Sequence, residues 1–186
     1  MTPSTWPPRK IRVVGTSGSG KTTYARELAR TLDLPFRELD EVFWAPDWTH
    51  RDLAEARADL RQWSAAGRWV VCGNWQSARG PLLEDADVLV WLDYPLPVVM
   101  GRVIRRTLRR LVTRQELWHG NREDWRRLLR TDPEQNIVLW TWQTHAGNRV
   151  RYLECAATGE VPVVRLRSPR AARAWLRHLS GYAGGR

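Results

Sequence analysis

Eight residues near the amino end constrain the fold of this chain more than any other stretch. Gly15-Thr16-Ser17-Gly18-Ser19-Gly20-Lys21-Thr22 satisfies the spacing G-x-x-x-x-G-K-[ST]. A β-branched run, Ile11-Arg12-Val13-Val14, precedes it, and Tyr24, Ala25, Leu28, Ala29 and Leu32 follow at helical spacing. Strand, glycine-rich turn and helix in that order are the context in which the pattern has physical meaning. Glycines let successive backbone N–H groups turn inward, the helix starting near Lys21 offers its positive end, and Thr16, Ser17 and Ser19 are small enough for close approach of an anion. The segment predicts a polyphosphate cradle. Gly15 through Thr22 line it, and Thr23 is a second hydroxyl beside them. Lys21 is the mobile positive charge for the β and γ phosphates, and the Thr22 hydroxyl is a magnesium ligand. Only Lys10 and Lys21 are lysines among thirty basic residues, so a lysine at this position stands out against an arginine-rich background.

The remaining pattern alternates strands and helices. Phe36–Leu39, Trp69–Cys72, Val88–Leu92 and Val161–Leu166 read as short strands. Helical spacing covers Asp52–Ala66, a long segment from Pro95 to Val112, two stretches near Asn121–Arg130 and Pro133–Cys155, and a last helix opened by Ser168-Pro169 as cap and first turn. Such alternation predicts an α/β single domain spanning 1–186, doubly wound around a mainly parallel sheet. The 186 residues suffice for a core without disulfides or metals, and no run nears the ~18 apolar residues of a membrane span. Met1–Lys10 lacks the apolar core of a secretory signal, which makes a cytoplasmic protein the expectation, and the tail 181–186 reads as loose. Cys72, Cys155 and the four histidines are too scattered for a zinc site, and both thiols are expected to be reduced.

Charge is divided unevenly. Residues 1–93 hold twelve basic and thirteen acidic side chains, whereas 94–186 hold eighteen and seven. Ten arginines fall within 102–130. This concentration suits polyphosphate clamping or contact with a nucleic-acid backbone, and composition does not choose between them.

Leu39 through Trp48, Val70-Val71-Cys72-Gly73-Asn74-Trp75, Trp91-Leu92-Asp93-Tyr94-Pro95 and Leu166-Arg167-Ser168 resemble the bacterial DNA topology modulation protein family, which is grouped with adenylate-kinase-like P-loop kinases. The resemblance covers nearly the whole chain. It implies a three-layer P-loop NTPase fold of the nucleoside monophosphate kinase type: a five-stranded parallel sheet, an acceptor-side insertion at about 40–66, and an arginine-rich helical lid within about 102–151. It also implies an ATP- and Mg2+-dependent phosphotransferase acting on a small acceptor, either a nucleoside monophosphate or a hydroxylated metabolite. A nucleic-acid-associated ATPase or regulator and a non-catalytic nucleotide switch are the alternative classes, although no helix-turn-helix or zinc-finger pattern supports base readout. A monomer or homodimer is expected.

Within that frame Asp40, just past the second strand, is the candidate catalytic carboxylate, able to orient an acceptor hydroxyl, act as base, or bind magnesium through water. Cys72 stands where the resembled family often has an aspartate, so Asp40 or Asp93 is expected to supply the missing contact to the metal. Asp93 can equally serve as a helix cap. Arg102 and Arg106 lie four apart on one helical face and are the expected catalytic cations of the lid; Arg122, Arg149 and Arg151 are further candidates. Trp44, Trp48 and Trp75 could stack on a ring substrate or simply cover the insertion.

Overall fold

The computed structural model describes residues 7–183; most of the Met1–Lys10 stretch (1–6) and residues 184–186 of the tail lie outside the described residues. Five strands form one parallel sheet, β1 (Lys10–Gly15), β2 (Phe36–Glu38), β3 (Trp69–Cys72), β4 (Val88–Leu92) and β5 (Val163–Leu166), in the order β2-β3-β1-β4-β5. The expected five-stranded α/β core is therefore present. The strands are short, and β3 and β4 are continuous apolar runs because both of their faces are covered. Ile11, Val13, Val70, Cys72, Val88, Val90 and Leu92 pack against α1 (Lys21–Leu32) and α8 (Pro169–Ala183), through Tyr24, Ala25, Leu28, Leu176 and Leu179. On the other face, Trp69 and Val71 meet α2 (Leu39–Phe43) and α3 (Leu53–Ser64), while Val14, Leu89 and Trp91 meet Tyr152 of α7 (Ile137–Thr158).

Local chemistry sets the element ends. Asp52 caps α3 by accepting from Ala54 N and Glu55 N at 2.9 and 3.0 Å, and Ser168 Oγ accepts from Ala171 N at 3.1 Å at the start of α8. Three expectations shift. The helix expected from Pro133 begins only after Asn136, whose side chain accepts from Val138 N and Leu139 N, while Pro133 lies in a preceding turn. Of the Asn121–Arg130 stretch only α6 (Trp125–Leu128) is helical, because Asp124 provides its cap and the residues before it form a tight loop. The last strand starts at Val163, since Pro162 has no N–H to give to a ladder.

The long α5 (Leu96–Thr113) follows β4 as expected, and the short α4 (Gln76–Arg79) follows β3. Between α5 and α7, residues 114–136 form a connecting segment that carries α6. β1 separates β3 on one side from β4 on the other, so the crevice at the carboxyl ends of these strands is where a parallel sheet of this kind presents its ligand site. No described helix is long and apolar enough to cross a membrane.

Candidate functional site

The Gly15–Thr22 loop closes at the carboxyl end of β1. Gly15 lies at φ 146°, where an added Cβ would stand 2.7 Å from Leu92 O, and Gly18 at φ 81°, where it would stand 2.3 Å from Val99 O. The second contact shows why the loop needs glycine there: the first turns of α5 press against it. Gly20, also at positive φ, turns the chain into α1 at Lys21. Lys21 Nζ donates to Gly15 O at 2.8 Å and Thr16 O at 3.2 Å. Burial depresses the affinity of its amine for a proton, and Asp40 is the strongest opposing charge.

Beside Lys21, the Thr22 hydroxyl donates to Glu38 Oε1 at 2.5 Å. Glu38 ends β2, is only 4% exposed, and carries a carboxyl pKa raised by burial, partly offset by the hydrogen bond from Thr22. Among the described residues its one ion-pair contact is Arg26 at 3.6 Å, whose side chain is more than half exposed. Sequence reasoning missed Glu38. The register explains its place: Glu38 lies opposite Cys72, the position where a carboxylate was expected, so β2 supplies a carboxylate at the strand end where β3 carries a thiol. Cys72 Sγ is 3.9 Å from Thr22 Oγ1, and burial pushes its thiol well up, which keeps it protonated.

Asp40 is brought into the same group. The Trp75 indole N–H donates to Asp40 Oδ1 at 2.5 Å, and Trp75 itself stacks on Phe43 at 5.1 Å between centroids. Trp44 and His50 contact Trp75 edge-on. Trp75 thus acts here as a hydrogen-bond donor that orients a carboxylate within an aromatic cluster.

From α5, Arg102 Nη1 donates to Ser19 O at 3.2 Å while its guanidinium lies 5.3 Å from the Tyr94 ring centroid. Arg106 is half-buried, and its buried Nε has no hydrogen-bond partner among the described residues. Burial and then Arg110 lower its pKa, and Glu123, Asp40 and Glu38 are the acids that oppose this. An under-satisfied guanidinium near Lys21 is receptive to an anion. Lys21, Thr22, Asp40, Arg102 and Arg106 are therefore gathered at one end of the sheet.

Asp93 is not in that group. Its Oδ2 accepts from Arg165 Nε and Nη2 at 2.8 and 2.5 Å, and its Oδ1 pairs with Arg149 Nε at 3.0 Å. Both oxygens are thus engaged by arginines in ion pairs, and the residue preceding α5 is Pro95, so Asp93 is not its cap. Arg149 is accordingly taken, Arg151 donates to Asn148, and Arg122 pairs with Glu116. Thr23 is exposed on α1.

The 114–136 segment reaches across to the residues that follow α2. Asn121, 4% exposed, donates to Ala45 O at 2.8 Å and accepts from Trp48 N at 2.8 Å, and the Trp48 indole donates to Arg122 O at 3.0 Å. These contacts join the 114–136 segment to residues 45–48.

No protein-family model matches the chain. A shikimate kinase of Brucella canis is 27% identical over 117 residues, which cover 55% of this chain and 58% of that protein; a shikimate kinase of Brucella abortus matches to the same extent. The chain thus spans little more than half the length of the curated relatives it matches. A solved shikimate kinase from Acinetobacter baumannii, in complex with shikimate, superposes with a TM-score of 0.55 at 18% identity over 93% of this chain and 91% of that one. An unliganded sugar kinase from Janibacter sp. gives 0.51 at 20% identity over 95% and 92%. The fold is that of the P-loop kinases. Arg102 and Arg106 extend from α5, whose first turn packs on the Gly15–Thr22 loop.

Proposed function

We propose that this chain is an ATP- and Mg2+-dependent phosphotransferase that moves the γ-phosphoryl group of ATP to a hydroxyl of a small metabolite. The observation that carries the reading is the Thr22–Glu38 pair at 2.5 Å beside Lys21, with Asp40 as the strongest opposing charge on that lysine. Backbone N–H groups of the loop and Lys21 bind the phosphates. Magnesium prefers hard oxygen donors and usually takes one or two carboxylates together with substrate phosphates. The Thr22 hydroxyl and the buried, weakly paired Glu38 carboxylate fit that preference, and Mg2+ there would neutralise charge on the phosphates. Asp40 Oδ1 is held by Trp75, which leaves Oδ2 for the acceptor hydroxyl. As the acceptor oxygen bonds to the γ-phosphorus, its proton passes to Asp40 and the bond to the bridging oxygen breaks, releasing ADP. Arg102 and Arg106 stabilise the transferring group, and the 114–136 lid excludes water.

A hydroxylated metabolite is favoured over a nucleoside monophosphate. Several acceptor-side arginines are already engaged: Arg57 with Ala78 O and Ser77 O, Arg51 with Val42 O and Asp59, and Arg37 with Asp59. A phosphate acceptor needs free cations, whereas a hydroxyl needs an oriented base such as Asp40. The shikimate kinase and sugar kinase likenesses are consistent with that choice. At the finer level, the stretches at Leu39–Trp48 and Val70–Trp75 support a place among the DNA topology modulation proteins, with the α5 arginines serving the phosphates. An acceptor screen by ATP consumption, with shikimate, sugars, nucleosides and nucleoside monophosphates, tests the reading. A hydroxylated acceptor should drive turnover that Asp40→Asn abolishes while Mg·ATP affinity persists; full turnover by Asp40→Asn would refute the assignment.

A further inference from the structure

The Gly15 carbonyl seats the Lys21 ammonium, and the orientation of that peptide is fixed by a side chain outside the phosphate-loop pattern. Regular pairing of β1 with β3 ends at Val13 and Cys72, after which Gly73 N donates to Val13 O at 3.2 Å. Gly15 has no Cβ with which to pack, and Leu92 O would not admit one. Asn74 takes over as a strand partner through its amide. Its Nδ2 donates to Gly15 O at 3.1 Å, and Gly15 N donates to its Oδ1 through a longer, weaker contact of 3.4 Å. Gly15 O therefore accepts from Asn74 and from Lys21 together.

The Asn74 amide is itself oriented. Tyr152 of α7, 3% exposed, donates its hydroxyl to Asn74 Oδ1 at 2.9 Å. Burial pushes the Tyr152 phenol up to about 12, so it remains a donor at neutral pH. With Oδ1 receiving two donors, Nδ2 faces the Gly15 carbonyl.

We propose that Asn74 is a positioning residue that clamps the Gly15 peptide and thereby sets where Lys21 presents its remaining N–H, and that Tyr152 locks the Asn74 amide in the required orientation. The inference rests on the reading that Lys21 holds a nucleotide phosphate. Since α7 carries the chain back from the 114–136 segment, the same hydroxyl links the phosphate loop to the helix that supports the lid.

Calorimetric titration with Mg·ATP tests the proposal on the wild type, Asn74→Ala, Tyr152→Phe, Lys21→Arg and the combinations with Lys21→Arg. The arginine keeps a positive charge and measurable affinity but presents a planar fork that does not reproduce the ammonium seat. Residues in one hydrogen-bond network are coupled, so Asn74→Ala should weaken Mg·ATP binding by about tenfold beside Lys21 and by less than about twofold beside the arginine. Tyr152→Phe should weaken it by roughly threefold with the same dependence on Lys21. Equal losses in both backgrounds, or no loss, would overturn the proposal. If Asn74→Ala does not fold by circular dichroism, the Tyr152→Phe cycle decides. A wild type that does not bind Mg·ATP refutes the nucleotide reading itself, whereas binding that depends on Lys21 but not on Asn74 or Tyr152 refutes only this inference.

Discussion

Replacing Trp75 by Phe removes one N–H from the molecule while keeping an aromatic ring against Phe43. The lost bond, from Trp75 Nε1 to Asp40 Oδ1 at 2.5 Å, ends on a carboxylate and so belongs to the stronger class of hydrogen bonds. Such bonds contribute about 1.5–3 kcal/mol. At ~1.4 kcal/mol per tenfold, misorientation of Asp40 lowers kcat by roughly 10- to 150-fold. The edge contacts of the ring with Trp44 and His50 become poorer, so a modest fall in the thermal midpoint accompanies the change. Nucleotide binding is made by other groups, Lys21 and the loop, so calorimetric Mg·ATP affinity should stay within about twofold of the wild type. Steady-state turnover with the acceptor found by screening supplies the other half of the comparison. Unchanged kcat, or a loss of Mg·ATP affinity as large as the loss of kcat, would refute the assignment of Trp75 to Asp40.

Other predictions concern separate parts of the site. Burial raises the pKa of Glu38, so the stability this group contributes is present below the ordinary carboxylate range and is lost as pH rises through its folded pKa. Glu38→Gln should therefore gain stability relative to the wild type as pH rises from about 4.5 toward neutrality, while losing Mg2+-dependent ATP affinity; chemical denaturation across pH and calorimetry with and without Mg2+ check both halves. Asp93→Ala leaves Arg165 and Arg149 without their carboxylate and should cost roughly 3 kcal/mol, at the low end for a buried pair because both arginines keep solvent contact. Its Mg2+ requirement should remain that of the wild type, and a raised Mg2+ requirement would restore Asp93 as a metal contact. Gly18→Ala drives a Cβ against Val99 O, so the loop or α5 must shift; Mg·ATP affinity should fall by at least about tenfold with the far-ultraviolet spectrum unchanged.

The parts of this account legible in the sequence are those set by local chemistry. The phosphate loop could be read because its glycines, lysine and threonine act within one turn, and the strands at 69–72 and 88–92 because buried parallel strands are continuous apolar runs. Asp40 was legible as an acid following a strand. Glu38 was not, because its burial and its bond to Thr22 arise from the register that places it opposite Cys72. The ion pairs of Asp93 were not legible for a similar reason: one of its arginine partners lies 72 residues away, and nothing in local sequence announces the pairing. Asn121 and Asn74 look like ordinary loop residues until tertiary contacts give one to Ala45 and Trp48 and the other to Gly15. The start of α7 was misplaced because Pro133 suits a first turn as well as the β-turn it occupies, and only the Asn136 cap decides between them.

The central claim is that the Gly15–Thr22 loop grips a nucleotide triphosphate through Lys21 and through a magnesium ion held between Thr22 and Glu38. Titration of the purified protein with ATP, with and without Mg2+, alongside Lys21→Ala tests it most directly. The account predicts saturable one-site binding that strengthens with Mg2+ and collapses in the variant; wild-type binding that is absent, or equal in Lys21→Ala, would contradict it.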